Sequence, residues 1–136
     1  MVGHYRAAVG ALLVFDLTDR ETFECLDHWL TELRENCSEF CQIALVANKV
    51  DLVNEDPNKR EVSIEEIRKF AEYNNLRFIG ETSAKEDINI KETFETLLQA
   101  VHMEQRELNE QKKIDAMRIG SKTIYDDSVN KGSCCY

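Results

Sequence analysis

The sequence predicts an α/β fold on a doubly wound parallel sheet, and three observations carry that expectation. Three short apolar runs, GALLVF (10–15), IALVA (43–47) and LRFIG (76–80), show little alternation, as expected of parallel strands covered on both faces. Stretches with apolar residues at helical spacing separate them, and each such stretch opens on a capping signal. The order strand, helix, strand, helix, strand, helix then requires right-handed crossovers.

The first helix is expected behind TDRE, where Thr18 and Glu21 fit a capping box and Phe23, Leu26, Leu30 and Leu33 share a face. SIEE (63–66) gives the same box ahead of Ile67, Phe70 and Ala71. Asn89 and Glu92 suit the start of a third helix, with Phe94, Leu97, Leu98, Val101 and Leu108 on one side. Trp29 and the other aromatics follow core periodicity and need no cofactor to explain them. Residues 1–110 read as the folded part. Past Gln111 the apolar pattern fades, and 111–136 reads as a flexible tail.

With 136 residues, the chain is one domain at most, long enough for a real core, with an ordinary balance of 43% hydrophobic and 32% charged residues. A net charge of −9 argues against nonspecific nucleic-acid binding, which needs clustered Lys and Arg. No apolar run approaches the roughly 18 residues of a membrane span, and no signal-peptide pattern opens the chain. The protein is therefore expected in the cytosol, or on a membrane held by something other than a helix.

The chemistry-bearing motifs sit where strands end. Asn48, Lys49 and Asp51 follow directly on the second strand, and ETSAK (81–85) follows the third. In open α/β sheets ligands bind beyond the carboxyl ends of the strands, so the two loops are expected to converge. Guanine suits them. Its N1–H and N2 amino group are adjacent donors that an ionised carboxylate such as Asp51 accepts together. The buried carboxylate would stay unpaired against adenine, which discriminates on the order of 10⁴. The Ala84 N–H is expected to serve O6, the Asn48 amide to reach N7, and the stems of Lys49 and Lys85 to lie across the base faces. Taken alone, NKVD is also readable as a polar turn, since such a match arises by chance in roughly one or two chains per hundred. The second motif after a later strand weighs against that.

At these residues the chain resembles a small GTPase of the Ras superfamily, and within it a Rab protein. HYRAAVGALLVFDLTDRETF, HWLTELRE, LVANKVDL and REVSIEEIRKFAEYNNLRFIGETSAKEDINIKETFETLL carry the resemblance over essentially the whole chain. It implies the C-terminal portion of a P-loop-NTPase-like fold, with Ser83 and Ala84 shaping the second base-binding loop and GTP or GDP as cofactor. It also implies a GTP-dependent switch in vesicle-mediated transport, on the cytoplasmic face of endosomal or secretory membranes and in the cytosol. One departure is Gly80: the family usually reads FIETSAK, and FIGETSAK has one residue more, which is expected to form a bulge.

The phosphate-holding half does not appear in this sequence. Residues five positions after Gly3, Gly10, Gly80 and Gly120 are Ala8, Phe15, Lys85 and Tyr125, and Gly132 lies too near the end; no G-x-x-x-x-G-K-[ST] exists. The family's D-x-x-G element fails the same test. The expectation is therefore a truncated Rab, beginning inside the second switch helix with Met1 an internal or misassigned start. It would have no Mg²⁺ site, no catalytic residue to name, and no activity alone, because phosphoryl transfer rests on positioning the phosphates. It would also leave uncovered a face of GALLVF that the absent strands cover. A genuine short product would be a catalytically silent, lipid-anchored interaction protein.

The five cysteines form two groups, and an odd count without a secretion signal favours thiols. Cys134 and Cys135 resemble the Rab double-geranylgeranylation site, which implies as partners an escort protein, geranylgeranyltransferase and GDP-dissociation inhibitor, with a membrane reached through the lipids. The alternative is a pair of exposed thiols. Cys25, His28, Cys37 and Cys41 can be read as a zinc module, although packing already explains the segment bearing Cys25 and His28. The three histidines form no triad with a nucleophile.

Overall fold

The computed structural model describes residues 5–126, with side-chain surroundings through residue 119. The described residues through Val101 form one compact unit and those from His102 on a second.

The three apolar runs become a three-stranded sheet in the order β1 (Gly10–Asp16), β2 (Gln42–Asn48), β3 (Arg77–Glu81). All pairings are parallel. Between them lie α1 (Arg20–Glu24), α2 (Leu26–Asn36), α3 (Val50–Glu55), a 3₁₀ turn (Pro57–Lys59) and α4 (Ile64–Tyr73); α5 (Ile90–Asp126) follows β3. The α/β class and the three parallel strands are thus as the sequence predicts.

Strand alternation divides the burial between two faces. Leu13 and Phe15 of β1 and Leu45 and Ala47 of β2 enter one apolar cluster with Leu26 and Leu30 of α2 and Ile67 and Ala71 of α4. Phe23 joins these layers, its ring 5.0 Å from Phe15 and 5.4 Å from Phe70, separations at which aromatic pairs attract. The opposite face meets α5. A Cβ on Gly10 would stand 2.8 Å from Val101 Cγ2 and 3.5 Å from Leu97, so α5 can lie this close to β1 only where the strand has no side chain.

Several details differ from the sequence expectation. The N-cap of α1 is Asp19, whose carboxylate accepts from Glu21 N–H at 3.1 Å. Thr18 is drawn away because its hydroxyl donates to Asp16 Oδ1 at 2.7 Å. The first helical stretch is two helices meeting at Cys25. Asn89 does not cap with its side chain; its amide donates to the Glu81 carbonyl at 3.3 Å, tying the start of α5 to β3. Phe94 and Leu98, expected on the covered face of that helix, are 53% and 64% exposed, while Thr93 is buried. The inward stripe is Thr93, Leu97, Val101, an i, i+4, i+8 row. Trp29, expected in the core, is half exposed beside the Leu26–Leu30 stripe, its ring against His28. Val14 is 51% exposed between the buried Leu13 and Phe15, on the face of GALLVF expected to lie uncovered.

Helix α5 continues to Asp126, through the first part of the segment that the fading apolar pattern assigned to a flexible tail. Lys recurs there beside Gln111, Ala116, Met117 and Arg118, and such helix formers extend a helix although its apolar residues Ile114, Met117 and Ile119 stay exposed. Gln111 also hydrogen-bonds Asp115 one turn on, at 3.1 Å.

The capping box of α4 forms as the sequence predicts: Ser63 Oγ accepts from Glu66 N–H at 3.3 Å, and the Glu66 carboxylate accepts from Ser63 N–H at 3.0 Å. Arg20, bonding the same carboxylate, and then the Ser63 donors hold its pKa down from 4.5 to about 2. A group depressed in the folded state stabilises fully above its unfolded value and loses that contribution as pH falls through the folded one. Stability attributable to Glu66 is therefore expected to decline between pH 4.5 and 2, and Glu66→Gln to flatten that part of a urea-midpoint-against-pH curve.

Gly80 occupies φ +150°, and the β2–β3 register slips between Leu45 and Val46, which pair with Phe78 and Gly80 and leave Ile79 over. The extra residue of FIGETSAK is thus a bulge. An added Cβ would meet Asn89 Nδ2 at 3.0 Å. Gly80→Ala is expected to destabilise by about 1–3 kcal/mol, the usual cost of forcing a side chain into such a conformation, read as a lowered urea midpoint.

Candidate guanine-reading site

Parallel register gathers the strand ends. Asp16 pairs with Asn48, and Ala47 with Glu81, so the loops after β1, β2 and β3 leave the sheet at one edge. Backbone bonds then join two of them: Thr82 N–H donates to the Ala47 carbonyl at 2.7 Å, and Val50 N–H to the Thr82 carbonyl at 2.9 Å. Asn48 completes the junction, its Oδ1 accepting from Thr82 Oγ1 at 3.2 Å and from Ala84 N–H at 3.1 Å. The two sequence motifs therefore do come together. With its oxygen engaged, the Asn48 amide keeps its NH₂ as donor, the group that guanine N7 requires. The Ala84 N–H, expected at guanine O6, is directed instead at Asn48.

Lys49 turns the chain from β2 into α3 in the left-handed region, at φ 68°. For a residue with a Cβ this is strained backbone, sustained where the surroundings fix it. Its Nζ pairs with Asp16 Oδ2 at 2.5 Å, the Lys49 side chain half exposed and Asp16 15% exposed. Asp16 is fixed in turn, Oδ1 accepting from Thr18 N–H at 2.8 Å and from its hydroxyl. Burial opposes ionisation of Asp16, but Lys49 and Thr18 together outweigh it and hold its pKa below the ordinary value; the same pair raises Lys49. Sequence reasoning did not single out Asp16. Its signal is FDLT: a carboxylate closing a strand with a threonine two residues on, the pattern of a local Asx turn.

Asp51 lies in the first turn of α3, a helix too short for periodicity to reveal. The residue is only 8% exposed, and its carboxylate makes no hydrogen bond or salt bridge to a described residue. Among the described residues no buried side-chain oxygen or nitrogen lacks a partner, so the Asp51 oxygens are not sealed in but open outward beside the Asn48 junction. A buried carboxylate with an open edge is an acceptor for paired N–H donors.

The second loop is built on Ser83. It is fully buried, exchanges backbone bonds with Ile88 at 3.1 and 2.9 Å, and accepts from Glu86 N–H through Oγ at 3.0 Å. Lys85 is exposed in this loop, without a hydrogen bond or ion pair to a described residue. Cys25, His28, Cys37 and Cys41 do not form a metal site: among the described residues no group of three or more potential ligands is placed to hold an ion. Cys134 and Cys135 lie outside the described residues.

The Ras family model matches residues 2–103. A Ras-like GTP-binding protein, RYL2, of Yarrowia lipolytica is 34% identical over 97% of this chain and 65% of its own length. Rab-25 of Bos taurus is 40% identical over 97% of this chain and 61% of its own. The GTP-binding protein ypt3 of Schizosaccharomyces pombe is 47% identical over 70% of this chain and 42% of its own. The chain thus spans less than two thirds of each of these relatives. A family match over three quarters of the sequence, joined to Rab relatives along nearly all of it, identifies this chain as a member of the Ras family, on its Rab branch.

Proposed function

We propose that this chain carries the base-reading part of a Rab-type guanine-nucleotide site and belongs to a GTP-dependent switch in vesicle-mediated transport. The observation that carries the reading is Asp51, a nearly buried carboxylate with no hydrogen bond or ion pair to a described residue, beside the Asn48 junction. It accepts from guanine N1–H and N2, Asn48 donates to N7, and Ser83 and Ala84 shape the facing loop. Lys49 and Lys85 flank the base, Lys49 oriented by Asp16. GTP or GDP is the nucleotide. The sequence contains no G-x-x-x-x-G-K-[ST] segment, so none of these residues is assigned to the phosphates or to Mg²⁺. Cys134 and Cys135 are the proposed geranylgeranylation sites, met by an escort protein, geranylgeranyltransferase and GDP-dissociation inhibitor. The anchored protein then sits on the cytoplasmic face of endosomal or secretory membranes.

A second reading is a catalytically silent interaction protein with the same lipid anchor. Nucleotide turnover separates the two, because GTP hydrolysis by the 136-residue chain would eliminate the silent protein.

Calorimetric titration with guanosine and adenosine nucleotides tests the base assignment. Weak binding, micromolar or poorer, is expected for guanine only. Asp51→Asn replaces an acceptor by a donor, and is expected to weaken guanine binding roughly 10- to 100-fold, the worth of a hydrogen bond to a charged group. The same variant should gain affinity for xanthine, which offers an acceptor in place of the N2 amine. Equal responses to guanine and adenine nucleotides would remove the assignment. Asp16→Asn frees Lys49 without touching the base and is expected to cost only about two- to fivefold, as partly exposed ion pairs do.

A further inference from the structure

At the other end of β2 from the base-reading loops, Cys37 and Cys41 bracket the connection from α2 to the strand. Cys37 N–H closes α2 on the Leu33 carbonyl at 2.8 Å, and Cys41 N–H closes a turn on the Ser38 carbonyl at 2.9 Å. That turn folds the segment back and brings both cysteines to the lining of one cavity. Both are free and half-buried, whereas Cys25 is exposed. They line one cavity of about 590 Å³ together with Arg34, Glu39, Asn75 and Arg77. We propose that Cys37 and Cys41 form a redox-active dithiol that reacts with an anionic low-molecular-weight disulfide of the glutathione class, admitted by this arginine-bearing cavity.

The exchange balances in two steps. The Cys37 thiolate attacks one sulfur of the small disulfide, forming a mixed disulfide and releasing one small thiol. Cys41 then gives up its proton and attacks the Cys37 sulfur, expelling the second small thiol and closing the Cys37–Cys41 bond. The protein loses two electrons and two protons, and the reagent gains both. The order of attack follows from surroundings: burial first, and the Cys37 sulfur second, push the Cys41 thiol up to about 11, which suits it to resolve rather than initiate. The Cys37–Cys41 bond requires the two sulfurs to close to about 2.05 Å. The product would clamp the end of α2 to the start of β2.

The full chain, equilibrated in glutathione/glutathione disulfide mixtures, trapped with iodoacetamide and digested with trypsin, tests this directly. Residues 35–49 form one tryptic peptide holding both cysteines. That peptide is expected to lose both alkylation sites together, with loss of two hydrogens, at an oxidant fraction at least tenfold below that giving a glutathione adduct on Cys25. Cys41→Ser is expected to hold a lasting glutathione adduct on Cys37, and Cys37→Ser to leave Cys41 unmodified. The proposal is overturned if the two cysteines are modified independently, if their cross-link appears no earlier than the Cys25 adduct, or if Cys41→Ser accumulates no adduct.

Discussion

The bonds between the loop after β2 and the loop after β3 are the constraint on which the candidate site depends. Thr82 donates to Ala47 and accepts from Val50, and its hydroxyl and the Ala84 N–H converge on one oxygen of Asn48. Each bond alone is worth on the order of 1 kcal/mol. Their effect is geometric, because they fix two chain segments more than thirty residues apart in sequence to a common origin. Asp51 sits where it does because Val50, its neighbour, is pinned to Thr82, and Ser83 is buried because Thr82 is held from the other side.

Charge is arranged about that junction so that each ionic group has a distinct task. Asp16 is largely withdrawn from water and is matched to the cation of Lys49. Asp51 is withdrawn to a similar degree and makes no hydrogen bond or ion pair with a described residue. Two carboxylates close together along the same sheet edge therefore differ in role through their partners alone: one positions a side chain, and the other remains an acceptor. Arg60, in bidentate contact with Glu81 at 2.8 and 3.0 Å, fixes the end of β3 in the same way from outside the site.

Much of this was readable from the amino acids, and the limits of that reading have physical causes. Unalternating runs such as IALVA marked the strands because both faces of a parallel strand are covered, and NKVD and TSAK marked the junction because special chemistry at strand ends has few structural uses. Asp16 escaped notice because its partner Lys49 is far away in sequence, and only sheet register brings them level. The Thr18 cap failed because a nearby carboxylate outbid the helix for its hydroxyl. Phe94 and Leu98 looked inward on a helical wheel, but periodicity cannot say which of two adjacent stripes, theirs or that of Thr93 and Leu97, meets the sheet. The reach of α5 is hidden for a related reason: Ile114, Met117 and Ile119 stay exposed, so no buried stripe marks its later described turns.

The bulge at Ile79–Gly80 shows how a protein of this architecture absorbs a change in length. Among the described strands β3 pairs on one side only, so an inserted residue there has a single neighbour to accommodate. The slip is spent within the strand: beyond it Gly80 pairs with Val46 and Glu81 with Ala47, and Thr82 N–H bonds the Ala47 carbonyl. For comparison with relatives, the extra residue belongs inside the last strand, ahead of Glu81, and not in the loop that carries Ser83 and Ala84. The same insertion in β2, bonded on both edges, would have displaced two partners at once.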